Sequence, residues 1–166
     1  MAAPSRPVRE GLVVGTIAYA AVAVFYALFD FLAARGPLYT VNQLGRAVFR
    51  GARDPASLGM PLPIDATAIL LYTALHLAVS LAIGLVVVAL VAHSRERPAR
   101  APMILVAIIA GFVVTIGAVG FATIPLRAVL PWWSIIVANA VAVMLGARYV
   151  MRRYPRAFHD LTDPTG

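Results

Sequence analysis

Four long apolar runs, at residues 11–34, 66–92, 102–124 and 128–151, fill most of this 166-residue chain. Each is at least as long as the roughly 20 residues a helix needs to cross the hydrocarbon core of a bilayer. No water-soluble fold explains four such runs in 166 residues. Inside lipid, every backbone N–H and C=O must be satisfied within its own segment, which a helix achieves. The expected fold is therefore an all-α integral membrane protein, with four transmembrane helices in a bundle. A hydrophobic content of 61% and a mean hydropathy of +0.87 agree, since soluble domains are nearer half apolar. The remainder is one loop at 35–65, two short turns and two tails. Residues 1–166 are accordingly read as a single four-helix domain.

The first run is longer than the roughly 7–15 apolar residues of a signal peptide, and Ala33-Ala34-Arg35-Gly36-Pro37 is a poor cleavage site. It is read as a retained helix. There is no cysteine, which removes disulfides, thiolate metal sites and cysteine nucleophiles. The net charge of +7 comes from arginine alone. In a soluble protein that charge would suggest nucleic acid. Here the arginines flank apolar spans, where they set topology and meet anionic headgroups, so the expected partner is the lipid bilayer and not nucleic acid.

With four crossings the N-terminus, the turn between the second and third spans and the C-terminus share one side. That side holds nine arginines and the other holds five. The excess places both termini in the cytoplasm, in the inner membrane of a bacterium. Trp132 and Trp133 at one end of the last span, and Tyr149 and Tyr154 at the other, suit the two interfaces.

Within the outer loop, Thr40-Val41-Asn42-Gln43 has the spacing of a capping box. Val41, Leu44 and Val48 then recur at helical spacing, and Gly51 can end the segment. The pattern predicts a short amphipathic helix lying in the outer interface, its apolar face toward lipid or the bundle. Asp65 is placed to cap the second span.

Polar side chains inside the spans are few, and in hydrocarbon each needs a partner or a role. His76 lies near the centre of the second span. Tyr72, His76, Ser80 and Gly84 follow at intervals of four and share one helix face. Three readings suit His76: a hydrogen bond to a neighbouring helix, a contact with haem iron or a chlorophyll-type pigment, or a proton path. Asn139 lies at a similar depth in the fourth span and is the expected hydrogen-bond partner of His76. Asp30, near the outer end of the first span, is expected to pair with Arg127, because Arg35 is five residues on, beyond helical pairing distance. Small residues recur at intervals of four: Gly11 and Gly15; Ala74, Ala78 and Ala82; Ala107 and Gly111; Ala138, Ala142 and Gly146. Such rows let helices approach closely. Gly111, Gly117 and Gly120 with Thr115 make the third span the one expected to be most tightly packed.

No metalloprotease, nucleotide-binding or serine-elbow motif is present. No cofactor is required by the sequence. The chain is expected not to be an enzyme. The leading expectation is a non-catalytic accessory or structural subunit of a larger bacterial membrane complex, of respiratory or photosynthetic type, with other membrane subunits as partners. The alternative is a small transporter, channel or proton-handling protein using His76.

Overall fold

The computed structural model describes residues 7–52, 63–127 and 130–154. Arg53, the stretch from Pro55 to Pro61, Arg156 and His159 lie outside the described residues. Five α-helices follow in order: α1 (Pro7–Leu32), α2 (Tyr39–Phe49), α3 (Ala66–Glu96), α4 (Ala101–Ala122) and α5 (Trp132–Arg153). Of these, α1, α3, α4 and α5 are long and apolar enough to cross a membrane. Their outer surfaces expose large aliphatic side chains throughout, as expected where the surrounding solvent is lipid.

Several boundaries differ from the apolar runs, each for a local reason. The described part of α1 begins at Pro7, a residue suited to the first turn of a helix. It ends two residues early, at Leu32. The Arg35 N–H bonds to the Asp30 carbonyl at 3.0 Å, and the Ala34 N–H to the Phe31 carbonyl at 3.1 Å. These are the paired bonds of a Schellman motif. Its left-handed position is filled by Ala34, at φ 54°, although glycine is the residue that adopts it without strain. α3 runs four residues past its apolar stretch and stops before Pro98, whose ring disfavours helix at Arg97. α5 begins only at Trp132, because Pro131 is extended at φ −62°, ψ 143°.

The centre of the bundle is α1. Along one side it packs on α3 and along another on α5. The α1–α3 contact is backbone against backbone. A Cβ added to Gly15 would lie 2.6 Å from the Ser80 carbonyl oxygen, and one added to Gly84 would lie 2.4 Å from that of Gly11. No side chain fits there, so these glycines fix where the two helices cross. On the α5 side, Ala138, Ala142 and Gly146 are buried, with Gly146 against Val14. Two apolar clusters fill the remaining interior. Val14, Val88, Val91 and Tyr154 pack toward the end that carries the termini. Ala47, Leu126, Leu130 and Ile135 pack toward the other.

One expectation about packing is corrected. The helix expected to be tightest, α4, is the loosest. It buries only Ala101 and Ile104 near its start and Gly120 near its end. Gly111 and Gly117 face open space, and only Gly120 makes a close contact, under the Trp132 ring. A count of small residues does not show which face they occupy. The short helix expected in the 35–65 loop is present as α2, with Tyr39 and Ala47 buried as well as polar residues. Its buried residues include Thr40, Asn42 and Gln43, while Leu38, Val48 and Phe49 are exposed. It therefore turns polar side chains inward and packs against the start of α3. A Cβ on Gly45 would lie 2.4 Å from the Ala68 carbonyl oxygen.

The strained alanine gives a test. Replacing Ala34 with glycine relieves a left-handed cost of about 1 kcal/mol, partly offset by the greater freedom glycine has when unfolded. The Ala34→Gly protein is expected to melt higher in mild detergent than the parent. A lower midpoint would mean that the turn is not as described.

Candidate functional site

The polar side chains gather at the C-terminal end of α1, where α2, α3 and α5 meet it. At the centre is Asp30, fully buried. Its carboxylate accepts the Thr40 backbone N–H at 2.6 Å and the Thr40 hydroxyl at 2.7 Å. Arg35 approaches at 3.4 Å. The Schellman turn explains how Arg35 arrives: once the chain leaves the helix, five residues no longer means the wrong side. The Arg35 guanidinium lies over the Phe29 and Tyr39 rings, 4.9 Å from each centroid. Cation, anion and aromatic faces thus enclose one another, which offsets the cost of burying charge.

The expected pair of Asp30 with Arg127 is not formed. Arg127 is exposed and sits over the Trp132 ring, 5.7 Å from its centroid. The capping box is not formed either. The N-cap of α2 is Leu38, without a side-chain cap bond. Thr40, two residues too far in to cap, gives both of its donors to Asp30. The Asp30 carboxylate therefore serves as a cap supplied from another helix, at the end where the α2 dipole favours an anion.

A second clasp ties α2 to α3. The Asn42 side-chain carbonyl accepts the Asp65 N–H at 3.0 Å, and its amide donates to the Pro63 carbonyl at 3.1 Å. Asp65 caps α3 by accepting the Ala68 N–H at 2.9 Å. Arg50 donates to the same carboxylate through Nε at 2.9 Å. The Arg50 hydrogen bond, helped by the Ala68 N–H and the nearby positive charges, holds the Asp65 carboxyl below its usual range.

From Asp30 a seam of polar side chains runs between α1, α3 and α5 toward mid-bundle. The Ser134 hydroxyl donates to the Pro131 carbonyl at 2.7 Å. Its oxygen, 3.3 Å from the Tyr26 hydroxyl, is left to accept from Tyr26. Deeper in, the His76 ring lies 5.3 Å from that of Tyr19 and 6.1 Å from that of Tyr72. The stripe of Tyr72, His76, Ser80 and Gly84 is thus the face that α3 turns to α1. The expected bond between His76 and Asn139 is not formed. The Asn139 amide donates to the Ile135 carbonyl of its own helix at 2.8 Å, and α1 lies between the two helices. Equal depth does not make neighbours when a third helix intervenes.

The seam does not continue to the other end. Val14, Val88 and Val91 close the bundle below His76, beside the glycine crossing. At that far end stands a second buried acid. Glu10 is buried, accepts a short hydrogen bond from Tyr149 and pairs with Arg153 at 3.2 Å. A buried carboxylate with two partners could not be foreseen from a residue next to Arg9. The signal available was the tyrosine at the matching depth of the last helix. Among the described residues, no three His, Cys, Asp or Glu side chains converge as a metal site would require.

Comparison with known proteins finds no match to any protein family, to any curated protein or to any solved structure.

Two expected outcomes follow from this geometry. Arg35→Gln leaves the buried Asp30 charge without its counter-ion and should cost about 3 kcal/mol or more. Arg50→Gln removes an exposed pair, so its loss should be much smaller. Denaturation of both variants in the same detergent checks the order, and equal losses would contradict the burial of Asp30. The second outcome is a pH dependence. A carboxyl held below its unfolded value stabilises the fold above that value, near pH 4, and the contribution is lost as pH falls through the folded one. The advantage of the parent over Asp65→Asn, read as a difference in melting temperature, should be present at pH 7 and vanish toward pH 3.

Proposed function

We propose that this chain is a non-catalytic accessory subunit of a larger membrane complex, of the respiratory or photosynthetic type, in a bacterial inner membrane. The main support is the direction in which its small-residue rows point. Gly11, Gly15, Ala138, Ala142 and Gly146 are used within the bundle. Ala74, Ala78 and Ala82 of α3, and Ala107, Gly111 and Gly117 of α4, face outward. Glycine exposed in mid-helix costs helix stability and gains nothing against lipid, whereas it allows close approach of another helix. The polar side chains of the candidate site add to this. Asp30, Arg35, Thr40, Asn42, Asp65 and Ser134 are consumed in holding helices together, which leaves little free chemistry for catalysis.

In this reading both termini are cytoplasmic, as the arginine excess suggests. α2, with Leu38, Val48 and Phe49 exposed, lies at the opposite interface with those side chains toward lipid headgroups and acyl chains. The second reading is a small transporter or proton-handling protein. It rests on the half-buried His76 between two tyrosines. The apolar closure below His76 weighs against it, because a path needs polar groups on both sides of the barrier. A haem or chlorophyll-type pigment held by the imidazole would appear directly in the absorption spectrum of the purified protein.

Gentle purification with mass spectrometry of co-purifying chains tests the proposal. Gly111→Leu and Ala78→Leu, which place bulk on the outward rows, are expected to release partner subunits without lowering the melting temperature of the chain itself. Gly15→Leu, at the internal crossing, is expected to unfold it. If the parent protein is monodisperse and alone in mild detergent, the accessory role is wrong.

A further inference from the structure

Three arginines near the end that carries the termini have no salt bridge among the described residues. Arg9 of α1 and Arg148 and Arg152 of α5 are exposed, while the neighbouring Arg153 is engaged by Glu10. Their placement is set by the register of the two helices. Tyr149 bonds Glu10, and Gly146 faces Val14. With α1 and α5 running in opposite directions, Arg148 stands level with Leu12, and Arg152 level with Val8. Arg9 occupies the same height on α1.

Directly above these charges runs an apolar groove. Its lower part lies along α1 from Arg9 past Leu12 and Val13 to Ile17. Its upper part continues from Ile17 past Ala20, Ala21 and Val24 to Leu28, with Val141 and Leu145 of α5 as the facing wall. Val141, Leu145, Arg148 and Arg152 follow at spacings of four, three and four, so they form one stripe on α5. The wall of the groove and two of its three arginines are therefore the same helix face. From Arg9 to Leu28 the groove rises about 28 Å, at 1.5 Å per residue, nearly the thickness of the hydrocarbon core.

An elongated apolar channel with a cluster of free guanidinium groups at one end has the chemistry of a lipid, with the anion at the arginines and the chain in the groove. We propose that this face is a binding site for one anionic phospholipid of the leaflet on the side of the termini. The phosphate is held by Arg9, Arg148 and Arg152, and an acyl chain lies along Ala20, Ala21 and Leu145. The two alanines make the groove, because a larger side chain at either would fill it. The arginines supply selectivity for a negative headgroup, since guanidinium matches phosphate oxygens in charge and geometry. The site is independent of the accessory role proposed above, which uses the outward faces of α3 and α4.

The test uses the full chain purified in mild detergent and examined by native mass spectrometry. The probes are dioleoyl phosphatidylglycerol, dioleoyl phosphatidylcholine and, for the headgroup alone, glycerol 3-phosphate. The parent is expected to retain one phosphatidylglycerol at concentrations where phosphatidylcholine and glycerol 3-phosphate are not retained. Arg148→Gln and Arg152→Gln should each weaken retention about fivefold, as expected for one arginine near a charged headgroup. Ala20→Phe should also weaken it, with the arginines intact. Arg97→Gln, which removes an exposed arginine just past the end of α3, should leave retention unchanged. Melting temperatures equal to that of the parent show that each variant is folded. Equal retention of both phospholipids overturns the proposal. So does an Arg97→Gln loss as large as the others, which means diffuse surface charge, or no loss in Ala20→Phe, which means that no chain lies in the groove. Retention of glycerol 3-phosphate as strong as that of the lipid would overturn it as well.

Discussion

The structure depends on α1, and α1 depends on having a buried acid at each end and glycines between them. Glu10 and Asp30 are both withdrawn from solvent. They stand 20 residues apart along one helix, a rise of about 30 Å, close to the thickness of a bilayer's hydrocarbon core. Neither carboxylate is an isolated charge. Glu10 has Tyr149 and Arg153, and Asp30 has Thr40 and Arg35. The partners come from α5 at one end and from the α2 segment at the other. Each acid thus fastens a different neighbour to the same central rod. Near the N-terminal end of α1, where Gly11, Gly15 and Gly84 bring α1 and α3 into backbone contact, side chains are replaced by close approach.

This division of labour follows from the solvent. In lipid, apolar side chains gain little by leaving the surroundings, so helix association rests on packing and on polar contacts that have no better partner. Where the protein meets the interface, charged and hydrogen-bonded clasps are affordable because water and headgroups are near. The clasp through Asn42, Asp65 and Arg50 and the buried Asp30 cluster both lie at the ends of the long apolar helices, and α2 is held between them. Deeper in, His76, Tyr19, Tyr26, Tyr72 and Ser80 carry polarity on faces turned to another helix, while Asn139 and Thr115 bond to carbonyls of their own helices. The periphery is different again. α4 is tied mainly near its two ends and leaves Gly111 and Gly117 open, the feature on which the proposed partner helix rests.

The sequence and the tertiary structure contributed in separable ways. Four spanning helices, the cap at Asp65, the glycine after α2 and the shared face of Tyr72, His76, Ser80 and Gly84 were all legible in the chain, because helix length, capping and face membership are local properties set by spacing along one segment. Pairing was not. Asp30 was assigned to Arg127 and His76 to Asn139 by matching depth, yet Asp30 is reached by Arg35 and His76 by Tyr19. The first error arose because a left-handed alanine lets the chain fold back after α1. The second arose because α1 stands between α3 and α5. Which small-residue row faces inward, why α2 buries its asparagine and glutamine, and why Glu10 is a structural acid were decided by the order in which helices surround one another. Hydropathy carries no information on that order, because all four spans are apolar all round, and only the contacts between them break the symmetry.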